Sequence, residues 1–245
     1  SAYHTCMSLP QGRVLIIAGS DSGGGAGIQA DIKTVTMLGG YAMTAITAIT
    51  VQNTLGVSAV HEIPPEIVSG QIDAVMSDIG ADAIKTGMLA NVAIVEHVAA
   101  ALERHGAIPA VVDPVMIAKG GAALLDARAL DAVKALMAPR AALLTPNAPE
   151  ATQLTGIDIE DVEDQKRAAD ALIGLGARAV LVKGGHVPGP WLHDVLATNT
   201  GLEVFSSQRI ETRATHGTGC TLASAIAAGM AQGMEVRDAV QWERL

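Results

Sequence analysis

Strand-like and helix-like segments alternate along almost the whole chain, and this alternation constrains the fold more than any other feature. The first strand-like segment, residues 13–19 (RVLIIAG), is continuously apolar, as is typical of a strand buried on both faces. A glycine-rich turn and a helical pattern follow it. Strand-like segments recur at 41–53, 81–88, 109–115, 140–147 and 178–185, and helical patterns recur at 63–80, 92–106, 128–137, 148–156, 161–176 and 220–233.

This βα alternation predicts an α/β fold of three layers (αβα), with a central, mostly parallel sheet and helices on both faces. One exception is residues 193–210, which predict a β-hairpin with its turn near Asn199 and Gly201. We expect a single domain over residues 13–245, preceded by a tail over residues 1–12 that is partly an expression tag. Because the chain stops inside a helical pattern, we also expect a C-terminal segment beyond it.

The composition agrees with this fold and excludes several classes of protein. Hydrophobic residues make up 49% of the 245 residues but aromatic ones only 2%, so the core must consist of small and aliphatic side chains. A net charge of −9 argues against nucleic-acid binding, which needs a basic surface. No apolar run is long enough to predict a membrane span. Because Cys6 and Cys220 suggest no disulfide framework, a reducing cytoplasm is the expected location.

Polar side chains follow most of the predicted strands. Ligands of parallel α/β sheets bind at the carboxyl ends of the strands, where such side chains converge on one rim. The alternative is that loops are polar and begin where strands end. The residues in question are Asp21, Gln52, Asn53, Asp113, Asn147 and Lys183.

The first motif is GSDSGGGAGIQAD (19–31), which contains a G-x-G-x-x-A pattern after a strand. A dinucleotide site would need an acidic residue at the end of the second strand, where Gln52 and Asn53 stand instead. The glycines still allow a small ligand to approach the backbone closely. Asp31 lies on the apolar stripe of the following helix and needs a partner there, either a polar heterocycle or a helix-terminus interaction.

The second motif is ATHGTGC (214–220), which leads into an alanine-rich helix. Gly217 and Gly219 free the backbone N–H groups to turn inward, and the helix adds the positive end of its dipole. The product is an anion hole suited to a transferring phosphoryl group. Cys220 stands at the helix N-terminus, where the pKa of a thiol tends to fall, so it is a candidate base. The simpler interpretation is a glycine turn with a buried cysteine.

Three shorter motifs complete the candidate site. In LLTPNAPEA (143–151), Asn147 and Glu150 are spaced either to hold Mg²⁺ and nucleotide phosphates or to form a helix capping box. Lys183, in VLVKGGH, is a candidate phosphate neutraliser, and Asp113, in VVDPV, could orient metal-bound water.

Taken together and in order, the motifs resemble those of the hydroxymethylpyrimidine/phosphomethylpyrimidine kinase branch of the ribokinase superfamily. The resemblance runs from about Val14 to the end of the chain. It implies a ribokinase-like fold, ATP as co-substrate, Mg²⁺, and a homodimer without nucleic-acid or membrane partners. The matching motifs are AGSDSGGGAGIQAD, TAITVQNTLGV, KTGMLA, VVDPVM, LLTPNAPEA, VLVKGGH and THGTGC.

The resemblance also implies a role for each matching residue. Asp113, Asn147 and Glu150 would manage Mg²⁺ and the phosphates, and Lys183 would contact the transferred group. Cys220 would be the base, at a position where most superfamily members carry aspartate. The pyrimidine pocket would be lined by Gly19, Asp31, Gln52, Met88 and Val115, and the anion hole would be formed by Gly217, Thr218 and Gly219.

Two alternatives remain open from the sequence. A pyridoxal kinase or a dual-specificity enzyme would act on a similar flat heteroaromatic with a hydroxymethyl arm, and the apolar walls at Met88 and Val115 do not separate the two substrates. A non-catalytic pyrimidine sensor on the same fold would be expected to lose the anion hole or the base, and both are present. His216 competes with Cys220 as the base, because it lies close in sequence.

Overall fold

The computed structural model describes residues 12–116, 127–209 and 217–242. The strands are β1 Arg13–Asp21, β2 Tyr41–Gln52, β3 Val57–Glu62, β4 Ala83–Thr86, β5 Ala110–Val112, β6 Leu143–Leu144, β7 Val180–Val182, β8 Trp191–Thr198 and β9 Gly201–Gln208. The helices are α1 Gly27–Met37, α2 Pro65–Asp78, α3 Val92–Arg104, α4 Ala127–Ala132, α5 Ala148–Thr155, α6 Val162–Gly174, α7 Thr218–Ala231 and α8 Val236–Trp242.

The strands form one sheet of nine, in the order β3-β2-β1-β4-β5-β6-β7-β8-β9. The six strands from β2 to β7 in this order pair in parallel, whereas β3, β8 and β9 pair antiparallel at the two edges. In β1, Val14 lies between Ala42 of β2 and Ala83 of β4. The prediction of a mostly parallel sheet is confirmed.

Helices cover both faces of the sheet and bury two apolar layers. Leu15 and Ile17 of β1 face one layer, which α2, α3, α5 and α6 complete. Val14 and Ile16 face the other layer, which α1, α7 and α8 complete. Because alternate side chains of β1 enter opposite layers, the strand is apolar at every position from Val14 to Ala18. The three-layer αβα prediction is confirmed.

The structure differs from the sequence prediction in three local features. Strand β3 was not predicted, and it pairs antiparallel with the end of β2. The helical pattern over 128–137 ends in a π-helical turn, Val133–Met137, and a 3₁₀ turn, Ala138–Arg140, where Pro139 removes a backbone donor. Helix α3 ends at Arg104 with His105 as its C-cap, so the predicted terminator Gly106 lies just beyond the cap.

Other local predictions agree with the structure. The β8–β9 hairpin closes with Thr198 opposite Gly201, as the turn residues indicate. Within the described segments, none of the helices has the length and hydropathy needed to cross a bilayer.

Candidate active site

Five of the predicted polar side chains lie at one rim of the sheet. Asp21 and Gln52 are the last residues of β1 and β2. Asp113 directly follows β5, Lys183 directly follows β7, and an isolated parallel bridge joins Lys183 to Asn147. Because β1, β2, β5 and β7 run in the same direction, their carboxyl ends meet at the same edge, and the sheet brings these residues to one side of the molecule.

The glycine-rich loop after β1 is shaped by the Asp21 carboxylate. This carboxylate accepts hydrogen bonds from the backbone N–H groups of Gly23 (2.7 Å), Gly25 (3.1 Å) and Ala26 (2.8 Å). Asp21 is almost completely buried, and its side chain fixes the backbone of the loop. At the end of the loop Gly27 has φ +55°, and a Cβ there would collide with a backbone carbonyl oxygen. The loop therefore holds one fixed shape at the rim.

Three of the residues predicted for the pyrimidine pocket border this loop. A Cβ on Gly19 would lie 3.2 Å from Sδ of Met88, so the two residues are neighbours. The Gln52 backbone exchanges hydrogen bonds with the Ser22 hydroxyl of the loop, and its Oε1 accepts from Thr50 Oγ1 at 3.1 Å. Gln52 is only partly buried, so its side chain is accessible from solvent.

Val115 follows β5, the strand that pairs with β4 on the side opposite β1. It is partly buried and packs against the apolar layer formed with α2 and α3. A small cavity lies beside it, bounded also by Gly87 and Pro114. Val115, predicted to line the pyrimidine pocket, thus lies beside a small cavity after β5.

Asp31, which the resemblance assigns to the pyrimidine pocket, already has charged and polar partners in this structure. Its side chain is completely buried and forms an ion pair with Lys85, whose Nζ lies 3.0 and 2.9 Å from the two carboxylate oxygens. Ser224 Oγ donates a further hydrogen bond to Asp31 at 2.6 Å. The apolar stripe on α1 therefore carries a carboxylate that is paired with a lysine of β4.

Sequence reasoning missed Lys85 and Ser224. The signal for Lys85 was its place in the strand-like segment ADAIKTGM, because a lysine in a strand buried on both faces needs a charged partner. Lys85 is completely buried. Burial by itself lowers its pKa, but Asp31 and the nearby Cys220 and Asp113 outweigh burial and raise the pKa above its usual value.

The N-terminus of α7 forms the predicted glycine turn. Gly217 is the N-cap and has φ +79°, and a Cβ at this position would collide with the carbonyl oxygen of Gly25. A Cβ on Gly219 would lie 3.3 Å from Nζ of Lys183. The turn thus packs against the β1 loop on one side and approaches a lysine ammonium on the other, with Thr218 exposed between them.

The pKa of Cys220 differs from the sequence prediction. Burial raises the pKa of this thiol to about 11, while the charge of Lys85 and a hydrogen bond from the Gly27 backbone oppose the increase. The position at a helix N-terminus led us to expect a lowered pKa, but the loss of hydration in the folded protein has the larger effect. The competing base, His216, lies outside the described residues.

A second lysine–aspartate pair lies at the ends of β5 and β7. Lys183 Nζ is 2.9 Å from Asp113 Oδ1, which also accepts a hydrogen bond from Thr145 Oγ1 at 3.1 Å. Both charged side chains are largely buried. Lys183 therefore carries a partly shielded charge between Asp113 and the α7 turn.

Asn147 and Glu150 form a capping box, as one of the two interpretations predicted. The Asn147 side chain accepts from the Glu150 N–H at 2.9 Å, and the Glu150 carboxylate accepts from the Asn147 N–H at 2.8 Å. Glu150 is nevertheless buried, and burial raises its pKa to about 7, with Lys183 opposing. Since the charges of Lys183 and Asp113 both act on this carboxyl group, the capping box lies beside the charged residues of the rim.

Glu150→Gln is expected to change how stability depends on pH. Because the pKa of Glu150 is higher in the folded than in the unfolded protein, its contribution to stability is greatest at low pH and is lost as pH rises from about 4.5 to about 7. The free energy of unfolding should therefore fall less over this range in the variant than in the parent, as measured by urea unfolding at pH 5 and pH 8. The exposed Glu96→Gln serves as the control. Equal pH dependence in Glu150→Gln and parent would contradict the assignment.

Comparison with known proteins identifies a matching family and similar sequences. The profile of the family described as "Phosphomethylpyrimidine kinase" matches residues 21–244. Over 230 residues the chain is 48% identical to the hydroxymethylpyrimidine/phosphomethylpyrimidine kinase of Bacillus subtilis, which covers 94% of this chain and 85% of that protein. It is 52% identical to the thiamine biosynthesis bifunctional protein ThiED of Geobacter sulfurreducens over 95% of this chain, but spans only 47% of that longer protein.

Solved structures show the same architecture. The crystal structure of phosphomethylpyrimidine kinase from Clostridium difficile 630 superposes with a TM-score of 0.84 at 42% identity, covering 94% of this chain and 95% of that one. Pyridoxal kinase from Staphylococcus aureus, in complex with AMP-PCP and pyridoxal, superposes with a TM-score of 0.87 at 34% identity, covering 95% of this chain and 85% of that one. These likenesses agree with the ribokinase-like fold predicted from the motifs.

Proposed function

The chain belongs to the phosphomethylpyrimidine kinase family, and from this premise we propose that it transfers the γ-phosphoryl group of ATP first to 4-amino-5-hydroxymethyl-2-methylpyrimidine and then to the resulting monophosphate. The product is the pyrimidine diphosphate used in thiamine diphosphate biosynthesis. The observation that carries the proposal is the approach of Lys183 Nζ to the glycine turn at the N-terminus of α7. A cation and a helix N-terminus together suit the charge that develops on a transferring phosphoryl group.

The reacting groups have separate roles in this proposal. The hydroxymethyl oxygen of the pyrimidine forms a bond to the γ-phosphorus as the bond between that phosphorus and the β,γ-bridging oxygen breaks, and ADP leaves. Cys220 accepts the hydroxyl proton. The backbone N–H groups of residues 217–219 and the Lys183 ammonium bind the equatorial oxygens. Most of the rate enhancement then comes from positioning and charge stabilisation.

The residues at the rim fit a magnesium ion bound mainly through ATP. Within the described segments no cluster of three or more His, Cys, Asp or Glu side chains forms a complete metal cage. Asp113 lies close enough to Glu150 for its negative charge to help raise the pKa of Glu150. Mg²⁺ usually binds one or two carboxylates together with phosphates and water. Asp113 and Glu150, aided by Asn147, would hold it, and the ion would neutralise phosphate charge.

The pyrimidine would bind between the glycine-rich loop and Met88, with Val115 as a further apolar wall. Because a Cβ on Gly19 would lie 3.2 Å from Met88 Sδ, a side chain at position 19 would crowd Met88, and the glycine keeps this part of the proposed pocket free of one. Gln52, at the end of β2, offers both a donor and an acceptor to the amino group and ring nitrogens. Because Asp31 is already paired with Lys85, Gln52 carries this recognition without Asp31.

Gln52→Ala is expected to weaken pyrimidine binding. The loss of one such polar contact is typically worth about 1–3 kcal/mol, which is roughly a 5- to 150-fold rise in the dissociation constant. Isothermal titration with the pyrimidine alcohol measures the change, and Gln153→Ala, on the exposed side of α5, provides an amide deletion far from the loop. An affinity equal to that of the parent would remove the main support for placing the ring beside Gln52.

Pyridoxal phosphorylation is the second candidate activity. The likeness to the S. aureus pyridoxal kinase favours it, and the apolar walls at Met88 and Val115 suit either heterocycle. The deciding experiment is coupled ATP turnover with the pyrimidine alcohol, its monophosphate and pyridoxal, side by side. We expect the highest kcat/KM for the two pyrimidines. A clear preference for pyridoxal would overturn the main proposal, and no turnover with any of the three would favour a non-catalytic sensor.

We also propose that the enzyme acts in the cytoplasm as a homodimer. The use of ATP supports the location. The family resemblance supports the dimer, and so do the exposed apolar side chains of Ile49 and Val51, which point to the same side of β2. Analytical ultracentrifugation would distinguish a dimer from a monomer.

A further inference from the structure

The Lys85–Asp31 ion pair lies beneath the catalytic turn, yet none of the roles described so far uses Lys85. The pair is completely buried, and its ammonium makes two short contacts with one carboxylate. Burying a charged pair is costly, and apolar side chains of similar volume often replace such a pair without loss of stability. A role in the chemistry is therefore a better explanation for Lys85 than stability.

Helix α7 connects this ion pair to the catalytic cysteine. Ser224 donates its hydroxyl hydrogen bond to Asp31 at 2.6 Å, and Ser224 follows Cys220 by four residues in the same helix. Side chains four residues apart lie on the same face of a helix, with their Cβ atoms about 5–6 Å apart. The face of α7 that carries Cys220 is thus the face that contacts the ion pair.

The space around the ammonium also points toward this face. A Cβ on Gly87 would lie 3.1 Å from Lys85 Nζ, so the glycine after β4 leaves room for the ammonium at the end of the strand. Among the charged groups, Lys85 has the largest effect on the pKa of the Cys220 thiol, which it lowers. The thiol in turn raises the pKa of Lys85. The charged groups that face Cys220 from the elements packed around it are Lys85 of β4, Asp31 of α1, Asp113 after β5 and Lys183 after β7.

We propose that Lys85 is a positioning residue for Cys220, whose buried ammonium, held in place by Asp31, stabilises the thiolate that accepts the proton of the substrate hydroxyl. This inference rests on the proposed base role of Cys220. Lys85 touches neither the pyrimidine nor ATP, and it acts only through the sulfur. Asp31 fixes the ammonium, and Ser224 fixes Asp31 to the helix that carries the thiol.

Alkylation of Cys220 by iodoacetamide tests the proposal without ATP or pyrimidine, in a Cys6→Ser background where Cys220 is the sole cysteine. Iodoacetamide is neutral, so its approach does not depend on the local charge, and its rate at pH 9 follows the thiolate fraction. Lys85→Met should slow alkylation about tenfold or more, and Asp31→Asn should accelerate it or leave it unchanged, because it removes a negative charge. Lys166→Met, which breaks a surface ion pair with Glu163, is the matched control and should have no effect.

A slower reaction in Lys85→Met without slowing in Asp31→Asn separates a charge effect from a loss of structure, since loosening around α7 would accelerate alkylation in both variants. If Lys85→Met does not fold, the double variant Asp31→Asn/Lys85→Met leaves no unpaired buried charge and should still react more slowly than the parent. A rate within twofold of the parent in the variants that lack Lys85, or changes of the same sign in both single variants, would overturn the proposal. Full turnover in Cys220→Ser would instead count against the base role itself, so the two failures are distinguishable.

Discussion

Cys220→Ser is expected to lower kcat by about 10²–10⁴ while leaving the affinity for the pyrimidine nearly unchanged, because general-base assistance is commonly worth this much in rate. The serine keeps the shape of the side chain but has a much less acidic proton. Burial holds the pKa of the Cys220 thiol at about 11 without ligands, so the thiolate must form at the moment when the substrate hydroxyl gives up its proton. Steady-state turnover under saturating ATP and pyrimidine measures the effect.

The competing base and a matched cysteine replacement decide how this result is interpreted. Cys6→Ser makes the same substitution in the N-terminal tail and should retain parental turnover. His216→Asn should have a smaller effect than Cys220→Ser. Near-normal turnover in Cys220→Ser together with a collapse in His216→Asn would move the base to His216, and collapse in neither would mean that the anion hole and the metal carry the reaction without a dedicated base.

Gly217→Ala is expected to lower kcat by about 10²–10³, the usual cost of losing one well-placed donor to a developing negative charge. Gly217 has φ +79°, and an added Cβ would collide with the Gly25 carbonyl oxygen, so the turn must move. The movement displaces the N–H groups at the start of α7. Single-turnover phosphoryl transfer measures the chemical step directly.

The control for Gly217→Ala separates backbone strain from damage to the anion hole. Gly39 has φ +81° but lies between α1 and β2, and a Cβ there would meet nothing within 4 Å. Gly39→Ala should therefore lose some stability and keep its turnover. Parental turnover in folded Gly217→Ala would show that the turn does not bind the transferring group.

The sequence predicts the sheet and its rim well because both follow from local patterns. Apolar runs such as that of β1 identify strands buried on both faces, and the direction of parallel strands then brings Asp113 and Lys183 to the same edge. The capping box at Asn147 and Glu150 is also a local pattern, since its two residues are three apart. Strand β3 escapes prediction because its exposed residues have no apolar alternation.

The features that could not be predicted depend on distances between segments that are far apart in sequence. The Lys85–Asp31 pair joins residues 54 positions apart, and no local spacing indicates that β4 places an ammonium beneath α1. The pKa of the Cys220 thiol could not be predicted for the same reason. The helix N-terminus is visible in the sequence, but the extent of burial, which raises the pKa of the thiol, arises only when α1, β4 and α7 pack together.

The contact between Gly217 and the carbonyl of Gly25 has a consequence for engineering substrate specificity. Two loops separated by about 190 residues of chain leave each other no room for a single methyl group, so each fixes the backbone path that the other can follow. A chimera that takes only one of these loops from a relative of different specificity would therefore bring mismatched surfaces together. Exchanging both loops as one unit preserves the match and is the design from which a change of substrate could be selected.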